Sequence, residues 1–165
     1  MTIKKDGNCS KIEQLSQVLS NKHWQIACAE SCTGGWVAKL FTDLAGSSTW
    51  FERGFVTYSN RAKHEMLGVS NQVLEEFGAV SENVVKEMAE GACDKARVEV
   101  SLAISGIAGP TGGSNDKPVG LVWFAWNING QVETYSEIFN GGRDAVRQQA
   151  VNVAIDRLLS LLKET

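Results

Sequence analysis

The chain has 165 residues, of which 43% are apolar and 21% charged, with a formal net charge of −3. That length and apolar content suit one domain with its own hydrophobic core. No apolar run approaches the roughly 20 residues that span a bilayer, and the absence of a dense Lys/Arg stripe excludes a general nucleic-acid binder and favours a small-molecule partner.

The segment from Met1 to Asn8 is polar and has no signal-peptide core, which predicts a cytoplasmic protein. Ser10-Lys11-Ile12-Glu13 has the form of a capping box, and Ile12, Leu15, Val18 and Leu19 mark one face of a first helix. Trp24 to Ala29 reads as a short buried strand, and the Thr33-Gly34-Gly35 turn opens a helix that ends near Gly46. Phe55 to Tyr58 is a second strand, with Asn60 as the cap of a short helix running to Leu67. Ser70 and Ser81 are further N-caps, the latter opening a helix through about Ala96.

Val98 to Ile104 is almost continuously apolar or small, as at the centre of a covered sheet. A loop from Gly106 to Pro118 follows. Asn129-Gly130 then joins two strands, 120–128 and 131–139, as a tight hairpin. Gly141-Gly142 releases a long last helix whose stripe is Val146, Ala150, Val153, Ala154, Leu158 and Leu161. Strands alternating with helices, plus one hairpin, predict an α/β fold: a three-layer α/β/α sandwich around a mixed, mostly parallel sheet of about five strands, in one domain.

Ser31, in Ala29-Glu30-Ser31-Cys32-Thr33-Gly34-Gly35, follows a buried strand and precedes a helix start. That places it at the carboxyl end of a strand, where α/β proteins bind ligands. Amides of a first helical turn lack partners inside the helix and can hold a developing oxyanion. The same residues suit a plain N-cap, and the pattern leaves both readings open. A serine nucleophile needs a base. His23 precedes the first strand, on the wrong edge, and His64 faces about 100° away from its neighbour Lys63 on a helix. Lys63 is the better base: the positive helix end and burial both favour its neutral form, although a solvated surface lysine fits the pattern too. Tyr58 either donates a hydrogen bond to the site or caps the core.

A second glycine-rich cluster, Ser105 to Gly113, also follows a buried strand and suits a backbone that wraps a ligand. Gly141-Gly142-Arg143, with Arg147 one turn on, suits a phosphate or plain surface ion pairs. Cys9, Cys28, Cys32 and Cys93 read as free thiols, and with only His23 and His64 beside them no metal centre is expected.

Six motifs in register then carry a resemblance. Ala-Glu-Ser-Cys-Thr-Gly-Gly (29–35), Gly-Phe-Val-Thr-Tyr-Ser-Asn (54–60), Gly-Ala-Val-Ser-Glu (78–82), Ser-Gly-Ile-Ala-Gly-Pro (105–110), Lys-Pro-Val-Gly (117–120) and Gly-Arg-Asp (142–144) are similar to the CinA C-terminal domain family. The similarity runs from about residue 10 to 162. That family includes bacterial nicotinamide-nucleotide amidases, which turn nicotinamide mononucleotide and water into nicotinate mononucleotide and ammonia in pyridine nucleotide recycling. The resemblance implies a Ser/Lys dyad at Ser31 and Lys63, no metal or other cofactor, and a homo-oligomer. It suggests Tyr58 orienting Lys63, amides at Thr33, Gly34 and Gly35 with Ser105 and Gly106 around the reacting group, and Arg143 near the phosphate. Two rival readings are a non-catalytic nucleotide-binding module and a thiol hydrolase using Cys32.

Overall fold

The computed structural model describes residues 7–165, so the N-terminal stretch read above for export lies, through residue 6, outside the described residues. In chain order the elements are α1 (Gly7–Lys22), β1 (Ile26–Glu30), α2 (Trp36–Thr42), a 3-10 turn (Ser47–Thr49), β2 (Phe51–Val56), α3 (Asn60–Leu67), α4 (Asn71–Phe77), α5 (Glu82–Ala96), β3 (Val100–Gly106), β4 (Leu121–Ile128), β5 (Gln131–Ile138) and α6 (Arg143–Glu164).

The strands form one sheet in the order β2-β1-β3-β4-β5. β1 pairs in parallel with β2 and β3, while β3 with β4 and β4 with β5 are antiparallel, so β4 alone runs against the other four. Helices cover both faces, which gives the expected three layers.

Alternation along the strands assigns each face a different job. Ile26 and Cys28 of β1, Leu102 and Ile104 of β3, and Phe124 and Trp126 of β4 point to the face covered by α1, α2 and α6. Phe124 stacks on Trp126 at 5.7 Å between centroids, and the Trp126 indole N–H donates to the Ala154 carbonyl of α6 at 3.0 Å. The opposite face carries Ala27, Ala29, Ala103 and Ala125. Those small side chains let α5 lie close on the sheet, close enough for the Ser101 hydroxyl to reach the Ala89 carbonyl at 2.6 Å.

Several boundaries differ from the sequence reading, each for a tertiary reason. α1 begins at Gly7, so Ser10 lies inside the helix and the capping box does not form. The extra turn is anchored by Asn8, whose amide donates to Asn152 of α6 at 3.0 Å. α3 is capped by Ser59, whose hydroxyl accepts from the Ala62 N–H at 3.0 Å, and Asn60 is its first helical residue. The caps at Ser70 and Ser81 form as expected. β2 lies earlier than 55–58 because its register with β1 runs from Phe51 to Val56. The buried face of α6 is wider than a single stripe: Val151, Ile155, Leu159 and Leu162 join it, and Val153 and Leu161 sit half-buried at its margin.

Candidate active site

β1 ends at Glu30, and the next residue, Ser31, still donates its backbone N–H to Ile104 of β3 at 3.0 Å. The sheet therefore fixes the serine's main chain at the carboxyl edge. The chain then turns sharply through Gly34 (φ +60°) and Gly35 (φ +100°), backbone conformations that favour glycine, before α2 starts.

Lys63 reaches this turn from the other layer. Its Nζ lies 3.0 Å from Ser31 Oγ, 2.8 Å from the Thr57 carbonyl and 3.4 Å from the Tyr58 carbonyl. Only 1% of Lys63 is exposed, and Ser31 is buried as well. Burial lowers the Lys63 pKa to about 8 from its ordinary 10.5. The ammonium that remains below that pH is held by two carbonyl oxygens and a hydroxyl, an uncharged set. The sequence could not have counted these ligands, because Thr57 and Tyr58 offer their backbone rather than their side chains.

The amides around Ser31 are distributed differently from expectation. Glu30, directly before the serine, is buried, and its carboxylate accepts from the Val37 and Ala38 N–H groups at 2.9 and 3.1 Å. It thus neutralises the start of α2, and these amides do not face a substrate. The Gly34 N–H closes a turn on the Ser31 carbonyl at 3.1 Å, and the Trp36 N–H goes to the Thr33 carbonyl at 3.1 Å. Among the described residues the N–H groups of Cys32, Thr33 and Gly35 make no hydrogen bond. The hydroxyls of Thr33 and Thr57, both buried, likewise have no partner there. Glu30 was the residue sequence reading missed. Its signal was an acid seven and eight positions ahead of two helix-start amides.

The other candidates sit nearby with altered roles. The Ser105 hydroxyl donates to the Ala79 carbonyl at 2.8 Å, so its proton is directed away from Ser31. Gly106 serves packing: an added Cβ would lie 2.7 Å from Val122 Cγ2. Gly109 and Gly113 are similarly pressed against Val119 as the loop folds on itself. The Tyr58 phenol does not touch Lys63 but accepts from Arg143 at 3.0 Å, while the same guanidinium donates to the Gly109 carbonyl at 2.7 Å. Arg143 thus ties Tyr58, just after β2, to Gly109 in the loop after β3. Arg147 donates to the Cys32 and Thr33 carbonyls at 3.0 and 3.1 Å and stacks over Trp36, 5.3 Å from its ring centroid. His64 is spent on the Val69 carbonyl at 2.8 Å. Burial pushes the Cys32 thiol up to about 11. A cleft of about 740 Å³ lies behind the turn, between α1, α2 and α6, and is lined by Gly34, Gly35, Trp36 and Arg147 but by neither Ser31 nor Lys63.

The arrangement can do one piece of chemistry directly. A partly neutral amine in hydrogen-bond range can take a serine proton, and adjacent unpaired amides can receive the negative charge that develops.

Comparison with known proteins adds the lineage. Residues 9–162 match the model of the CinA C-terminal domain. The chain is 57% identical over 147 residues to the Escherichia coli K12 protein called nicotinamide-nucleotide amidohydrolase PncC, covering 88% of this chain and 89% of that one. The protein of the same name from Pseudomonas putida is 46% identical over 148 residues, covering 90% and 92%. Among solved structures, a competence-damaged protein (CinA) superfamily protein from Klebsiella pneumoniae superimposes with a TM-score of 0.92 at 38% identity, over 97% of this chain and all of that one. A CinA superfamily protein from E. coli gives 0.92 at 40% identity, over 98% and 94%.

Proposed function

The chain belongs to the CinA C-terminal domain family, and we propose that it is a nicotinamide-nucleotide amidase working through Ser31 and Lys63. The observation that carries this reading is the 3.0 Å approach of the Lys63 amine to the Ser31 hydroxyl in a buried setting. The names borne by its relatives support a nicotinamide nucleotide as the substrate; nicotinamide mononucleotide, and a place in pyridine nucleotide recycling, are what the family resemblance implies.

In this mechanism neutral Lys63 takes the Ser31 proton as Oγ bonds to the carboxamide carbon. The N–H groups of Cys32, Thr33 and Gly35 are the available donors for the oxyanion. Gly34 and Ser105, expected in that role, have their protons engaged elsewhere. The tetrahedral intermediate collapses, the C–N bond breaks, and Lys63 gives its proton to the leaving ammonia. Water then adds to the acyl ester with Lys63 as base, and the Ser31 hydroxyl is restored as nicotinate mononucleotide leaves. Arg143 has guanidinium donors beyond the two used on Tyr58 and Gly109, and it is exposed. The phosphate end of the substrate belongs there. A Cys32 thiolate is a poor alternative, because burial holds the thiol protonated.

The test is ammonia release from nicotinamide mononucleotide by the wild type, Ser31→Ala and Lys63→Ala. Both variants should lose at least roughly 10³-fold in kcat. Full turnover by either one refutes the dyad, and nucleotide binding without ammonia release from the wild type would point to a binding module instead.

A further inference from the structure

We propose that Arg147 is the positioning residue that aims the Thr33 amide of the Ser31 turn as an oxyanion donor. This deepens the amidase reading and rests on it.

In a planar trans peptide the C=O and the following N–H point in opposite directions. Arg147 stands on α6, in the layer packed against the large-residue face of the sheet. Its Nε pulls the Cys32 carbonyl toward that layer at 3.0 Å, and a terminal nitrogen pulls the Thr33 carbonyl the same way at 3.1 Å. The N–H of Thr33, on the far side of the Cys32 carbonyl's peptide, is thereby turned away from α6. That is the direction of α3, whose Lys63 arrives from the opposite layer. The Thr33 N–H is also one of the three amides of the turn left without a partner among the described residues. One guanidinium therefore sets the orientation of a donor it never touches.

Two features argue against Arg147 as a direct substrate ligand. Two of its five N–H donors are spent on the carbonyls, and its remaining terminal nitrogen faces the Asp144 carboxylate, 3.7 Å away. One face of its plane is covered by Trp36. Trp36 follows the turn immediately, so the stack and the two hydrogen bonds clamp the stretch from Cys32 to Trp36 from both ends. The fork matters here, because a lysine carries the charge but cannot serve two carbonyls from one rigid plane.

Steady-state kinetics with nicotinamide mononucleotide test this, using Arg147→Ala, Arg147→Lys and Ser31→Ala beside the wild type. The expected result for Arg147→Ala is a kcat lowered roughly 10²-fold, the scale at which a misaimed group is felt, with KM within about threefold. Arg147→Lys should recover less than about a tenth of the lost rate, and added guanidinium chloride below denaturing concentration should restore part of the kcat of Arg147→Ala but not of Ser31→Ala. The acid limb of the pH profile should stay in place, because Arg147 makes no contact with Lys63. A raised KM with unchanged kcat would overturn the inference and make Arg147 a substrate ligand. Wild-type kcat in Arg147→Lys, which keeps the charge and does not depend on the alanine variant folding, would overturn it equally. Turnover by Ser31→Ala would instead sink the amidase mechanism beneath it, so the two failures are distinguishable.

Discussion

Lys63 gives up nearly all contact with water to lie beside Ser31, and its titration records this twice. At neutral pH about a tenth of the molecules carry the free amine, given a pKa of about 8. If that amine is the base, kcat/KM rises with pH and levels off above a midpoint near 8. A flat profile between pH 6 and 9 would remove Lys63 from the role. Stability carries the same signature with a defined sign. The folded pKa of about 8 lies below the ordinary value of 10.5, so between those limits the unfolded chain binds the extra proton. Stability therefore rises with pH across that window, by on the order of 3 kcal/mol, and the group is unfavourable to folding below it. In urea titrations at pH 7.5 and 10, the wild type should gain on Lys63→Met at the higher pH. Parallel behaviour of the two proteins would contradict the assignment.

At the scale of elements, the position of that lysine depends on how α3 meets α5. Gly91 lies within α5, where an alanine would ordinarily favour the helix by about 1 kcal/mol. Here a methyl group would sit 1.9 Å from the Leu67 carbonyl oxygen at the end of α3. Leu67 is one turn beyond Lys63. Gly91→Ala should thus lower stability by about 2 kcal/mol, the scale of an overpacked core. It should also reduce kcat by moving α3 away from the sheet. Denaturation midpoints and turnover measured on one preparation check both; a stabilised, fully active variant would show that the helices separate freely. Much at this scale was legible in the sequence. The caps at Ser70 and Ser81, the Asn129-Gly130 hairpin and the Ser31 turn all follow local rules. Asn60 and Ser10 misled because a neighbouring serine and a contact with α6 decide those helix starts. Glycines 106, 109 and 113 suggested a ligand loop, yet they answer to Val119 and Val122, which pattern alone could not bring beside them.

In the whole molecule, the three residues that meet at the turn come from positions 31, 63 and 147 and from both layers of the sandwich. No local spacing could have joined them; the fold does, by setting the carboxyl end of β2, which leads into α3, beside that of β1, and by packing α6 on the opposite face of the sheet. The family resemblance supplied the serine-lysine pair, and the geometry added Glu30 and Arg147, which act through main-chain amides and carbonyls that sequence patterns do not display. The reversal of β4 has a practical outcome. Because β4 starts opposite Gly106 and ends opposite Val100, its turn into β5 lies at the sheet edge remote from Ser31. Asn129 and Gly130 are exposed there, with φ of +51° and +87°. This turn is the natural place to splice in a reporter domain through flexible linkers, because such sites tolerate insertion. The fusion should keep wild-type kcat, whereas the same insert between Gly112 and Gly113 should abolish it. One polypeptide would then report its location without disturbing its chemistry.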